Sequence, residues 1–472
     1  MSLKSNFIYS SILTVSKYLF PLIVYPYVSR TLGLSSIGIV NFIDNIINYF
    51  VLVSMMGIST VGIREIAARK NNQDQLSKTF VSLLSITAIT TLIVIIALWI
   101  SMYTIPKLIP YQNLLYIGLI KLFFNFFLIE WFFTGMEKFK YITIRSILVK
   151  CAYVIAVFVF VRNASDYVTY YILSAAMVIA NATINIIHSH KFVRYSFKSI
   201  DMKPFLKAFL IIGVYILLTN AYTYMNPVWL GFVTNTDEVG YFTTATKLHN
   251  LIMAVLFSFT NILFPRVSNL LAEGKKTEFW EKINTSFDAI FLFTFPTIIY
   301  ILVAGPDLLH LIVGDGFEGA YLPLRIITPL VLIIGIEQIL VIQILMATHE
   351  DNIVLRNAFW GAMISIVLNI LITSSMGAIG SAIVWIAAEC AITLLSIHAI
   401  YKKMRFLMPF KRMAAYVVTY LPLFIISIII YRCLDNRHVM LIILAFLIGG
   451  YTLLVESFIL KNKVINIFLN RK

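Results

Sequence analysis

Long runs of apolar residues, each about twenty positions, alternate along this chain with short polar stretches. About 20 apolar helical residues cross a hydrocarbon core. The runs are continuous rather than alternating with a period of two, so they predict helices and not a barrel. Fourteen spans follow: 6–29, 37–63, 80–103, 114–133, 142–161, 167–187, 205–232, 239–264, 287–303, 321–348, 353–374, 377–400, 413–431 and 439–460. The first two form a hairpin. Its outer turn lies at Leu32-Gly33-Leu34 with Gly38 following, and its second helix closes at Gly62-Ile63-Arg64.

Composition strengthens this reading. Of 472 residues, 60% are hydrophobic and 12% charged, with a mean hydropathy of +0.89. Soluble domains carry roughly 25% charged residues, so a soluble fold of this chain would leave apolar surface with nowhere to go. The net charge of +15 could suggest nucleic acid, but its distribution argues otherwise. With the N-terminus inside, 27 of the 37 Lys and Arg fall in cytoplasmic segments, 5 outside and 5 within spans. That asymmetry is the positive-inside rule. It predicts both termini in the cytoplasm and a multi-pass membrane protein. The first apolar stretch is interrupted by Lys17 and lacks a small-x-small cleavage site, so it reads as a retained signal-anchor.

Cys151, Cys390 and Cys433 have no metal or redox spacing, and His188-Ser189-His190 lies in a basic inner loop without carboxylate or thiol partners. No phosphate-binding Gly loop or nucleophile triad is present. No loop is long enough to fold as a catalytic domain. The expectation is a protein that is not an enzyme, with no cofactor and no metal.

The opening hairpin has an echo 202 positions on. Gly38 falls on Gly240, Asn48 on Asn250, Arg64 on Arg266, Phe7 on Phe209 and Val53 on Val255. In each half a Gly opens the second helix and an Arg closes it 26 residues later. The predicted fold class is all-α and integral to the membrane. It has two pseudo-symmetric six-helix bundles, 1–190 and 191–408, and an additional helix pair, 409–472. An even number of spans per half makes the repeats parallel, an arrangement typical of transporters.

An ionisable group at mid-bilayer costs about 2.5–3.5 kcal/mol on insertion scales. This chain places Lys17, Asp44, Lys121, Glu130, Lys150, Lys247, Asp288, Arg325, Glu337, Glu389 and Glu456 within spans, and Arg30 at the outer mouth. One reading is a water-filled cavity between the halves. Lys17, Lys121, Lys247, Arg30 and Arg325 would receive an anionic head group there. The other reading is internal ion pairs or snorkelling, which suits Glu130, Asp288, Glu456 and Lys150. Asp44, Glu130 and Glu337 are the candidate coupling or ion-pair carboxylates.

The stretch Glu130-Trp131-Phe132-Phe133-Thr134-Gly135-Met136-Glu137-Lys138-Phe139-Lys140-Tyr141 resembles the EWFFQGxEKxKY segment of bacterial polysaccharide flippases, the Wzx-type O-antigen or repeat-unit translocases. Thr134 stands where that pattern has Gln. Pro26-Tyr27-Val28-Ser29-Arg30-Thr31-Leu32-Gly33 resembles their PYxSRxLG start. In the second half Gln343, Asn369, Gly377 to Ala382 and Glu389 resemble their later pattern. These later elements are shared across the superfamily of multidrug, oligosaccharide-lipid and polysaccharide exporters. The resemblance implies a twelve-helix core in two bundles with two extra helices. It implies movement of polyprenyl-pyrophosphate-linked oligosaccharide from the inner to the outer leaflet by alternating access, for surface polysaccharide biosynthesis. The implied partners are that lipid-linked substrate, the bilayer, a polysaccharide polymerase and a chain-length regulator, with no nucleic acid. A cation-coupled multidrug exporter and a non-transporting scaffold of the assembly machinery are the alternatives.

Overall fold

The computed structural model describes residues 3–196 and 200–462, together with Ile465. The side chains of Phe7, Thr219 and Arg266, and the terminal cations Arg471 and Lys472, lie outside the described residues. The described elements are all helical. Ten stretches among the described residues are long and apolar enough to cross a membrane, and two of them run to 62 and 54 residues.

By its own packing the chain divides into two compact units, Met1–Gly240 and Tyr241–Lys472. The first contains α1 (Leu3–Met55), α2 (Ile58–Arg69), α3 (Gln73–Thr104), α4 (Gln112–Asn125), α5 (Glu130–Gly135), α6 (Phe139–Phe160), α7 (Tyr167–Ser189) and α8 (Lys203–Val233). It ends in the first residues of α9 (Thr236–Ala272). The second holds the rest of α9, then α10 (Lys276–Val313), α11 (Tyr321–Ile327), α12 (Leu330–Glu337), α13 (Asp351–Leu368), α14 (Ser374–Met404), α15 (Phe410–Cys433) and α16 (Arg437–Leu454). The turn expected at Leu32-Gly33-Leu34 is a break inside α1, where Gly33 has φ 74°. Gly38 and Gly240, aligned in the sequence echo, meet in space. A Cβ built on Gly240 would stand 3.4 Å from the Gly38 Cα. Close approach of this kind needs small residues.

Two elements differ from their expected spans. The span 114–133 is not one helix: α4 leads into a tight turn at Phe126–Leu128, and Ile129 then takes a left-handed φ of 33° before α5. No Gly or Pro marks this break. It is held by Asn185 of α7, which is fully buried and donates its side-chain amide to the Leu128 carbonyl. The span 321–348 is likewise composite: α11, α12 and then a π-helical segment, Gln338–Met346. There Gln343 accepts a hydrogen bond from Ser286 Oγ at 2.8 Å.

The break at Ile129 delivers Trp131, Phe132 and Phe133 into the core of the first unit. Trp131 stacks on Phe80 with ring centroids 5.7 Å apart, and Phe80 meets Phe132 edge-on at 4.8 Å. The indole lies against Gly62 of α2, where an added Cβ would overlap it. Lys70 bonds Glu137 at 2.7 Å, which holds the Glu137 carboxyl below its usual range.

In the second unit the last helix pair is fastened by a buried carboxylate. Tyr416 and Tyr420 of α15 each donate to Glu456 at 2.9 Å, and Glu456 is fully buried. Asn462 donates to the Tyr416 hydroxyl at 2.8 Å and to the Asp288 carbonyl at 3.0 Å. Arg412 bridges Asp288 at 3.0 Å.

Two stability predictions follow from the α2–α5 packing. Gly62→Leu forces a side chain into a stacked indole that cannot retreat, and overpacking of this kind costs about 1–3 kcal/mol. Asn185→Ala leaves a buried carbonyl without its donor, a penalty of about 1–3 kcal/mol. Thermal unfolding of the purified protein in detergent should show a lower Tm for each. An unchanged Tm in both would contradict the packing described.

Candidate functional site

The polar interior of the first unit is built on the pairing of α1 with α6. Three hydrogen bonds tie them: Thr143 Oγ1 to the Tyr9 carbonyl at 2.9 Å, Lys150 Nζ to Ser16 Oγ at 3.0 Å, and Tyr27 Oη to the Val161 carbonyl at 2.7 Å. The partners are 134 residues apart in every case. A constant separation means that the two helices run parallel and in register. With a rise of about 1.5 Å per residue, the Ser16–Lys150 tie lies roughly 10 Å from the first level and roughly 16 Å from the last. It therefore sits near mid-span.

Each of these helices carries an exposed apolar stripe. On α1 it includes Ile8, Ile12, Val15, Leu19 and Leu22, and on α6 Ile144, Leu148, Ile155 and Val159. At about 100° per residue, Lys17 stands about 180° round the helix from Ile8. Lys150 stands about 180° round from Val159. Both lysines therefore point away from the faces suited to lipid, yet Lys17 is exposed and Lys150 is only half-buried. Lys150 Nζ also lies 5.6 Å from the Phe20 ring.

A second group lies beside Asp44 of α1. Lys121 of α4 forms an ion pair and hydrogen bond with Asp44 Oδ1. Asn48 donates to Asp44 Oδ2 at 3.1 Å, and Lys121 Nζ sits 5.5 Å from the Tyr171 ring. Tyr153, Tyr170 and Tyr171 complete a tyrosine-rich surround near the Asp44 carboxylate. Lys121 is thus neutralised within its own unit. A third group is Glu130, bridged to Arg145 at 2.5 Å, with the buried Arg145 also donating to Ser146 Oγ at 2.9 Å.

The remaining candidates are dispersed. Arg30 is exposed on α1 in the first unit, while Lys247 of α9, Arg325 of α11 and Glu337 of α12 belong to the second. The second unit has an acidic interior feature. The Glu337 and Glu389 carboxyls lie within hydrogen-bonding reach of each other. Trp385 Nε1 donates to Glu389 Oε1 at 3.1 Å, and the buried His249 ring sits edge-on to Trp385 at 5.1 Å. Among the described residues no cluster of three or more His, Cys, Asp or Glu could hold a metal ion.

Sequence reasoning placed Lys150 among the pinning residues and missed its company. Its hydroxyl partner is 134 positions away, and only the apolar stripe at Ile144, Leu148, Ile155 and Val159 hinted that Lys150 faces inward.

The chain is 24% identical over 396 residues to a protein of Escherichia coli (strain K12) named "Putative O-antigen transporter", covering 83% of this chain and 95% of that one. A Shigella dysenteriae protein of the same name is 26% identical over 412 residues, covering 84% of this chain and all of the other. Among solved structures the fold resembles "Lipid II flippase MurJ, inward closed conformation", with a TM-score of 0.82, 16% identity, and coverage of 97% and 100% of the two chains. Residues 3–271 match the family described as "Polysaccharide biosynthesis protein", and this multi-pass membrane protein belongs to that family.

Proposed function

We propose that this protein is a flippase. It carries polyprenyl-pyrophosphate-linked oligosaccharide repeat units from the cytoplasmic to the outer leaflet by alternating access. The observation that carries the reading is the surplus of cations at mid-span in the first unit: among the described residues Lys17 and Lys150 have no carboxylate partner, whereas Lys121 is already neutralised by Asp44. A membrane-embedded cation needs an anionic partner or water to offset its burial. A pyrophosphate supplies the anion, and the apolar stripes beside it suit a polyprenyl tail.

In this account Lys17, Lys121, Lys247, Arg30 and Arg325 contribute to substrate binding along the path. Glu337, with Glu389 beside it, is the candidate coupling carboxylate; Asp44 serves through its pair with Lys121, and Glu130 through Arg145. The 62- and 54-residue stretches each cross twice, and α8 and α9 add two crossings, which brings the total to fourteen. Both termini are cytoplasmic in a bacterial inner membrane. The repeat division is 1–190 and 191–408 with an added pair at 409–472. In it α8 opens the second repeat although it packs in the first unit. A polysaccharide polymerase and a chain-length regulator are the expected neighbours in the pathway.

One observation favours a second reading. The Glu337–Glu389 pair could attract cationic compounds, as a cation-coupled drug exporter of the same superfamily would require.

Complementation separates the two. In a strain lacking its own O-antigen flippase, the intact protein should restore surface polysaccharide when the matching repeat unit is made. Lys17→Ala and Lys247→Ala should each reduce export by about tenfold, the scale of one lost charge-assisted contact. Resistance to toxic cations with no restored polysaccharide would favour the exporter. Reporter fusions at both ends provide a topology test, for which the expected result is cytoplasmic signal at each terminus.

A further inference from the structure

We propose that the half of α1 after Gly33 carries a sugar subsite, built on Asn41, Asp44, Asn45 and Asn48, and that this subsite selects an uncharged sugar. The proposal rests on the flippase reading and adds what that reading leaves open, the class of sugar accepted.

The pattern of accessibility along this half-helix is the starting point. From Asn41 to Asn48 every partly exposed residue is polar: Asn41, Asp44, Asn45 and Asn48. The apolar residues between them are buried, with Phe42, Ile43, Ile46 and Ile47 at 3% exposure or less. At about 100° per residue, the four polar positions fall within an arc of about 100°, on one side of the helix for two turns. A face turned to lipid shows the reverse, as Ile8, Ile12, Val15 and Leu19 do on the first half of α1. Polar groups within a membrane span face a polar interior or water.

The chemistry of this face is neutral and rich in donors and acceptors. Asn45 donates to the Asn41 carbonyl at 2.7 Å, and Asn48 donates to Asp44 Oδ2 at 3.1 Å. Both bonds stay on their own helix. Among the described residues the amide oxygens of Asn45 and Asn48 accept no hydrogen bond. Asp44 and Lys121 cancel each other's charge, yet 31% of the Asp44 side chain stays exposed. A carboxamide offers an N–H and a C=O side by side, which matches adjacent sugar hydroxyls, each both donor and acceptor. Tyrosines flank the face. The Tyr153 and Tyr170 hydroxyls lie within hydrogen-bonding reach of each other, and both feel the Asp44 carboxylate. An aromatic ring with a polar tip suits a pyranose, which is apolar on its C–H face and polar at its rim.

Position links this face to the head group. Tyr153 follows Lys150 by three residues on α6, about 4.5 Å along the axis. A sugar joined directly to a phosphate at Lys150 therefore reaches the tyrosines and the amides beyond them. Charge then sets the choice. The Asp44–Lys121 pair leaves no net positive charge on this face to receive a sugar carboxylate, and a second carboxylate beside Asp44 is repelled. An uncharged sugar meets only hydrogen-bonding groups. A site built to bond hydroxyls discriminates well, because a wrong ligand leaves its polar groups unpaired.

Full-length protein in nanodiscs is titrated with three undecaprenyl diphosphates, and binding is read by native mass spectrometry. One carries a methyl ester in place of a sugar, one carries glucose and one carries glucuronic acid. The methyl and glucosyl lipids have the same charge, and the two glycosylated lipids differ only in oxidation at C6. The wild type should bind the glucosyl lipid about tenfold more tightly than either of the others. Asn45→Ala and Asn48→Ala should each bring the glucosyl and methyl affinities close together. Asp44→Asn, which frees Lys121, should reverse the preference in favour of the glucuronosyl lipid. Thermal unfolding of each variant identifies loss of fold, and the wild-type ratios test the claim without any variant. Equal binding of the methyl and glucosyl lipids by the wild type would overturn the subsite, as would an unchanged ratio in the folded Asn variants. Glucuronosyl binding as tight as glucosyl binding would overturn the selection of an uncharged sugar. Each of these results leaves the flippase reading standing. Failure of the wild type to bind any of the three lipids would instead count against the flippase reading and remove the subsite with it.

Discussion

A charge inside a membrane must find a partner or reach water, and this constraint orders most of what is distinctive here. Each intramembrane carboxylate of the first unit is committed. Asp44 holds Lys121, and Glu130 holds Arg145. In the second unit Asp288 holds Arg412, and Glu456 is closed off by two tyrosine hydroxyls and packed out of contact with water. These pairings fasten helices together. Lys17 and Lys150 of the first unit stand outside these pairings and are the informative ones. The first unit thus leaves positive charge in its interior without a carboxylate partner among the described residues.

The scaffold that holds these groups depends on small residues and on one strained backbone position. Gly38 and Gly240 allow helices of the first unit to approach closely, and Gly62 admits the Trp131 indole. Ile129 adopts a left-handed conformation that a β-branched residue rarely takes. Such strain persists only where surrounding structure over-determines it. Here the Asn185 amide and the aromatic packing around Trp131 to Phe133 do so. The same segment carries Glu130, so the break sets where the Arg145 ion pair forms.

Much of this was legible in the sequence, and the rest was not for definable reasons. Apolar run length and the Lys and Arg asymmetry are local properties, so membrane helices and the turn at Gly33 could be read directly. The EWFF stretch marked a special place in the fourth span. It did not reveal that the helix breaks there, because the group that captures the freed carbonyl comes from Asn185, 57 residues away. The intramembrane charges could be counted but not paired. Lys121 finds its partner 77 residues away and Lys150 finds Ser16 at 134. Pairing is a property of helix register, which periodicity along one helix does not encode. For that reason Lys121 and Lys150, similar as sequence features, separate in the structure into a neutralised and an unneutralised cation.

The central claim, movement of a lipid-linked sugar diphosphate across the bilayer, is tested most directly by reconstitution. Liposomes containing the purified protein and a fluorescent polyprenyl-diphosphate oligosaccharide are challenged with a membrane-impermeant quencher. The account predicts that protein-containing vesicles expose the label from the inner leaflet faster than protein-free vesicles, and that Lys17→Gln slows this exchange. Exchange no faster than in protein-free vesicles, with folded protein and matching substrate, would contradict it.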